Sequence, residues 1–105
     1  MKIARRWGYA AKKVPKDSAT VLFAKGNFWG RTIAACASSD DPERYSDFGP
    51  FEGLKFELID YDDVNALETA LKNNPNIVAY MVEPIQGERG VVIPKQGIYF
   101  YMKDI

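Results

Sequence analysis

Thr20-Val21-Leu22-Phe23-Ala24, then Lys25-Gly26-Asn27-Phe28-Trp29-Gly30-Arg31-Thr32, then Ile33-Ala34-Ala35-Cys36-Ala37 is the stretch whose reading decides the fold. The first five residues form a short, apolar, β-prone run of the kind that fills a buried strand. The next eight pack two aromatics, two glycines and one arginine into a turn. The last five are small residues of helical composition. A strand, a Gly-flanked turn and a helix in that order mark a corner of an open α/β sheet. Ligands bind in such sheets outside the carboxyl ends of the strands.

Outward from this corner the chain keeps alternating. Met1 to Tyr9 has helical composition, with Ile3, Ala4 and Trp7 on one face and Gly8 as its C-terminal stop. Lys12 to Ser18 is a polar, Pro-containing connector. Asp40 to Gly53 holds Pro42, Gly49 and Pro50 with Tyr45, Phe48 and Phe51 among them, and reads as a long loop without secondary structure. Lys55 to Ile59 alternates as a half-exposed strand. Asp62 or Asp63 caps a helix from about Val64 to Lys72, with Leu67, Ala70 and Leu71 inward. Asn73-Asn74-Pro75-Asn76 ends that helix. Ile77 to Val82, the most apolar run, reads as the central parallel strand. Val91-Val92-Ile93-Pro94 is a short extended piece, and an amphipathic helix begins at Ile98. The order predicts an α/β sheet. Each end reads as a helix cut part way, so further residues are expected on both sides.

Composition narrows the function. The 105 residues carry 14 Lys plus Arg against 14 Asp plus Glu, so no global field attracts nucleic acid or an anionic membrane. No apolar run approaches the roughly 18 to 20 residues of a membrane span. The sequence has no histidine, which excludes histidine-based triads, imidazole zinc sites and histidine phosphotransfer within this chain. One cysteine, Cys36, excludes an internal disulfide and a cysteine-built metal site. Among alanines, it reads as a buried helical thiol.

Two stretches carry chemistry. In the first, Phe28 and Trp29 offer flat apolar surfaces, and Arg31 offers a planar, permanently charged fork suited to a carboxylate or phosphate. The same residues read equally well as core aromatics with a structural ion pair. Lys25 reads as a solvated charge. In the second, Glu83 and Glu88 flank Pro84, Gln86 and Gly87 just past the apolar run. Two such carboxylates can act as acid and base, hold a cation or neutralise basic groups, and charge pairing is the preferred reading. Gln86 has a donor and an acceptor with which to orient a polar ligand.

Gly26-Asn27-Phe28-Trp29-Gly30-Arg31-Thr32, Phe48-Gly49-Pro50-Phe51 and Val82-Glu83-Pro84-Ile85-Gln86-Gly87-Glu88, in this order and spacing, resemble the class III pyridoxal-phosphate-dependent aminotransferases. The likeness is greatest to members acting on ornithine, which tend to carry Ala-Arg-Arg-Trp-Gly-Tyr, here Ala4 to Tyr9. The resemblance covers nearly the whole chain. It implies that residues 1–105 are part of the mostly parallel sheet of the large, cofactor-binding domain of a fold-type I enzyme, truncated at both ends.

By that resemblance, Phe28 stacks on the pyridine ring of pyridoxal 5'-phosphate. Trp29 is its neighbour in the wall, where relatives acting on acetylated ornithine commonly have histidine. Arg31 grips a substrate carboxylate. Glu88 pairs with a second arginine elsewhere in the enzyme, masking it while ornithine is bound and releasing it for the 2-oxo acid; Glu83 lies near the substrate. The implied reaction passes the δ-amino group of L-ornithine to 2-oxoglutarate, giving glutamate 5-semialdehyde and glutamate, a step of arginine metabolism and proline biosynthesis. Acetylornithine and 4-aminobutyrate aminotransferases are the alternatives within the family, and a non-catalytic α/β anion-binding module is the alternative outside it.

No catalytic residue is expected inside the chain. The family's Schiff-base lysine and the aspartate facing the pyridine nitrogen would lie beyond Ile105, and the Gly-rich phosphate-binding segment before Met1. The segment alone is expected to be inert. The complete enzyme is expected to be a homodimer or higher homo-oligomer, cytoplasmic or in the mitochondrial matrix. Two places depart from the family pattern. Arg89 stands where a small residue is usual and could compete for Glu88, and Gln96 to Tyr101 differs locally.

Overall fold

In the computed structural model, which describes residues 1–95, β1 (Thr20–Ala24) is the middle strand of a parallel three-stranded sheet. Its neighbours are β2 (Phe56–Ile59) and β3 (Ile77–Met81), in the order β2-β1-β3. Four helices complete the described elements: α1 (Lys2–Ala10), α2 (Ile33–Ala37), α3 (Pro42–Tyr45) and α4 (Val64–Asn73). All five β1 residues are buried, as a continuous apolar run requires when both edges and both faces are covered.

The parallel strand expected over Ile77 to Val82 is present as β3, ending at Met81. β3 flanks β1, with Ile77 buried and Met81 exposed. Hydrophobicity reports how much cover a strand can use, whereas order is decided by the connections. After β2 the chain crosses back over β1 to lay β3 on its other side.

The two faces of β1 carry different packing, because successive strand side chains point oppositely. Leu22 packs with Leu67 and Ile77, joined by Ile59, Ala70, Leu71 and Tyr80. The inward stripe expected of α4 is thus the one that covers the sheet. Asp63 Oδ1 caps this helix by accepting the Ala66 N–H at 2.9 Å. On the other face, Phe23 stacks on Trp29 at 5.6 Å between ring centroids and meets Phe56 edge-on at 4.9 Å.

Three local expectations change. Gly8 does not stop α1, which runs on to Ala10. A Cβ at Gly8 would lie 2.3 Å from Val78 Cγ1, so the glycine permits helix and sheet to approach closely. The face of Ile3 and Trp7 lies open, 86% and 51% exposed, while the Gly8 face meets β3. The Asp40 to Gly53 stretch also has structure of its own: Asp41 Oδ1 accepts the Glu43 N–H at 3.0 Å and Pro42 opens α3. The extended piece near Val92 is present, paired antiparallel with Gln86. The helix expected from Ile98 and the departure at Gln96 lie outside the described residues.

No helix among the described residues is long and apolar enough to cross a membrane. Because all three strands run parallel, their carboxyl ends share one edge of the sheet. The turn after β1 and the loop after β3 are therefore neighbours, which builds the site.

Candidate functional site

The turn after β1 is stitched from several directions. Gly26 adopts a positive φ of 76°, which a glycine takes at little cost, and its N–H donates to Asp40 Oδ1 at 2.7 Å. Buried Asn27 donates to the carbonyls of Ala24 at 2.9 Å and Ser38 at 2.7 Å. Thr32 Oγ1 caps α2 by accepting the Ala35 N–H at 3.2 Å. The segment between strand and helix is thereby held as a rigid corner.

Phe28, Trp29, Arg31 and Glu88, four of the five residues singled out from the sequence, line one cleft of about 360 Å³. Glu83 does not line it. Its Oε2 accepts the Phe28 N–H at 3.2 Å, and its backbone carbonyl accepts the Tyr61 hydroxyl at 2.9 Å. Glu83 therefore fixes the backbone that carries the Phe28 ring. Trp29 has two duties, since its indole stacks on Phe23 and its Nε1–H donates to Ser38 Oγ at 2.7 Å while it still walls the cleft. Arg31 is exposed, and its guanidinium has no ion pair or hydrogen bond among the described residues.

Arg44, assigned no role from the sequence, also lines this cleft. Its guanidinium carbon lies 4.7 Å from the Phe28 ring centroid. Its Nη2 is 3.7 Å from Glu88 Oε2, and its Nε is 3.3 Å from Asp41 Oδ2. The signal was present as Asp41-Pro42-Glu43, a cap and first turn that start a helix and bring Arg44 beside Asp41 three residues back.

Arg89 does not compete for Glu88. It pairs with Asp40 Oδ2 at 2.8 Å, and this carboxylate's hydrogen bond and charge raise its pKa. Burial pushes the Asp40 carboxyl up, but the Gly26 N–H and the Arg89 guanidinium outweigh it and hold the group below its ordinary value. Lys25 is exposed as expected and is paired with Asp60 at 2.8 Å; that hydrogen bond and charge raise its pKa.

Two other expectations are corrected. Gln86 is 2% exposed, and its Nε2–H donates to the Lys25 carbonyl at 2.8 Å, so it latches the loop after β3 to the turn after β1. Cys36 is only partly buried and lines the cleft, because α2 turns Ala35 inward and its neighbour about 100° away. The charged groups lining the cleft are Arg31 and Arg44 with Asp41, Glu43 and Glu88. Such a site can hold a flat apolar ring against aromatic walls, one carboxylate on Arg31 and one ammonium among the acids.

Comparison with known proteins gives a consistent result. The chain matches the family described as Aminotransferase class-III over residues 1–105. Ornithine aminotransferase, mitochondrial, of Drosophila ananassae is 57% identical over 104 residues, covering 99% of this chain and 23% of that protein. The protein of the same name from Rattus norvegicus is 56% identical over 96 residues, covering 91% and 21%. The crystal structure of the ornithine aminotransferase from Toxoplasma gondii ME49 superposes with a TM-score of 0.93 at 55% identity, covering 98% of this chain and 24% of that one. The chain spans about a quarter of the length of the relatives it matches.

Proposed function

The chain belongs to the class-III aminotransferase family, and we propose that it is part of the large domain of an ornithine aminotransferase. The whole protein would pass the δ-amino group of L-ornithine to 2-oxoglutarate with pyridoxal 5'-phosphate. The observation that carries this reading is the convergence of Phe28, Trp29, Arg31 and Glu88 on one cleft at the carboxyl edge of a parallel sheet. The relatives named as ornithine aminotransferases support the choice of substrate, and Trp29 favours ornithine over its acetylated form.

The residues present fit the cofactor. A cleft of about 360 Å³ lies in the range of small-molecule sites. Its wall offers the half-buried rings of Phe28 and Trp29 to a flat heteroaromatic group. When bound, the cofactor supplies an electron sink at the amino-bearing carbon. The chain's own residues do the holding. Phe28, fixed through its N–H by Glu83, and Trp29, fixed by Ser38, flank the ring. Arg31 presents two parallel N–H donors to the substrate carboxylate. Glu88 would pair with a second arginine in the rest of the protein, masking it while ornithine is bound and releasing it for the 2-oxo acid. The residues that bond the cofactor belong, on this reading, to the rest of the protein, and the segment alone is inert. The whole protein would act as a homodimer or larger homo-oligomer. The relatives named mitochondrial favour the mitochondrial matrix over the cytoplasm.

The test is a transaminase assay of the full-length gene product with pyridoxal phosphate and 2-oxoglutarate. Ornithine is expected to give the highest kcat/KM, above acetylornithine and 4-aminobutyrate. A preference for either of those would move the protein within the family, and binding of anions without transamination would leave the module reading.

A further inference from the structure

We propose that Tyr61 is a positioning residue whose hydroxyl holds the Glu83 main chain and, through the Glu83 carboxylate, sets the Phe28 ring. Its bearing on ligand binding rests on the reading of Phe28 as the platform for the cofactor ring.

A loop leaves the carboxyl edge of the sheet after each strand, and the one after β2 is tied to both of the others. Asp60 pairs with Lys25, in the turn after β1, at 2.8 Å. Asp62 Oδ2 accepts the Lys95 N–H, beyond β3, at 2.8 Å. Between these anchors, the Tyr61 hydroxyl shares its proton between the carbonyls of Glu83 at 2.9 Å and Pro84 at 3.3 Å. Because β1 lies between β2 and β3, the Tyr61 side chain reaches past the end of β1 to meet them. On its other side the loop runs straight into α4, whose first turn Asp63 caps.

Glu83 is the next link. Its carbonyl is held by Tyr61 while its Oε2 accepts the Phe28 N–H at 3.2 Å. That distance is the long end of the range for such a bond, so the bond depends on where the Glu83 main chain stands. Tyr61, Glu83 and Phe28 are all half-buried, and water competes for each bond as soon as a partner drifts. Tyr61 itself does not line the cleft, whereas Phe28 does. An effect of the hydroxyl on a ligand there passes through Glu83 and Phe28.

The experiment compares the full-length protein as wild type, Tyr61→Phe, Glu83→Gln and the double variant. Hydrogen exchange at the Phe28 amide is measured without cofactor, and the rate of pyridoxal phosphate loss is measured on the loaded protein. Tyr61→Phe keeps the ring and removes the hydroxyl. It is expected to speed exchange at Phe28 about fivefold, the size of one lost hydrogen bond, with the β1 amides unchanged, and to speed cofactor loss by a similar factor. Glu83→Gln should do the same, and the double variant no more than either single one, because both cut the same chain of contacts. A tyrosine that merely supported the fold would loosen β1 as well and add to the effect of Glu83→Gln. Unmoved exchange at Phe28, faster exchange along β1, or additive effects in the double variant would overturn the proposal. Faster exchange at Phe28 with unchanged cofactor loss would separate Phe28 from the cofactor and leave the hold of Tyr61 on it standing.

Discussion

Asp40 and Arg89 meet at 2.8 Å, and the other oxygen of the same carboxylate accepts the Gly26 N–H at 2.7 Å. One side chain thereby joins the turn after β1, the end of α2 and the loop after β3. With the Gln86 latch to the Lys25 carbonyl, it sets how far apart the two walls of the site stand.

This junction predicts a pH dependence. The folded Asp40 carboxyl lies below its ordinary value of 3.8, so its stabilisation is fully present above that value and is lost as pH falls through the folded one. Asp40→Asn is expected to lower stability by about 1 kcal/mol at neutral pH. The urea midpoints of variant and wild type should converge as pH falls from about 5 to about 2. A gap that stayed constant over that range would show that the pair is not felt.

Gly8 predicts a steric effect. Gly8→Ala would bring a methyl to 2.3 Å from Val78 Cγ1, and overpacking of this kind costs about 1–3 kcal/mol. Combining it with Val78→Ala should recover part of the loss in thermal unfolding. Additive losses in the double variant would place the strain elsewhere.

The bond between Trp29 Nε1 and Ser38 Oγ predicts a separable contribution of the indole. Trp29→Phe retains an aromatic ring against Phe23 but removes the donor, and is expected to cost about 1 kcal/mol. Trp29→Ala, which also loses the stack, should cost clearly more. Equal losses in chemical denaturation would mean that the stack contributes nothing.

Glu83 is expected to act on ligand affinity through Phe28. Glu83→Gln keeps the shape but weakens a charge-assisted bond to the Phe28 N–H, a change of about 1 kcal/mol. In the full-length protein this should appear as faster loss of pyridoxal phosphate on dialysis. Unchanged retention would separate Glu83 from the ring.

Arg31 gives the sharpest functional expectation. Arg31→Lys retains the charge but loses the planar fork, so KM for ornithine and for 2-oxoglutarate should each rise about tenfold, while cofactor absorbance is unchanged. Unmoved KM values in steady-state kinetics would remove Arg31 from the substrate site.

Much of this was legible in the residues. The β1 strand, the glycine turn, α2 and α4 with its Leu67, Ala70 and Leu71 stripe are set by contacts within a turn or two, which periodicity and capping record. Asp41-Pro42-Glu43 carried the signal for α3 as well, although the surrounding glycines and prolines made the stretch read as a loop.

The sequence by itself determined the three strands and every helix but α3, the α/β class and the chemical character of Phe28, Trp29, Arg31, Glu83 and Glu88. Only the tertiary structure decided that β1 lies between its neighbours, that Gly8 is a point of close approach, and that Gln86 latches two loops. It also decided that Glu88 meets Arg44 and that Arg89 meets Asp40. The physical reason is range. Propensity and capping act between residues a few positions apart, whereas Arg89 and Asp40, 49 positions apart, meet only because β1 and β3 pair in parallel and end at one edge.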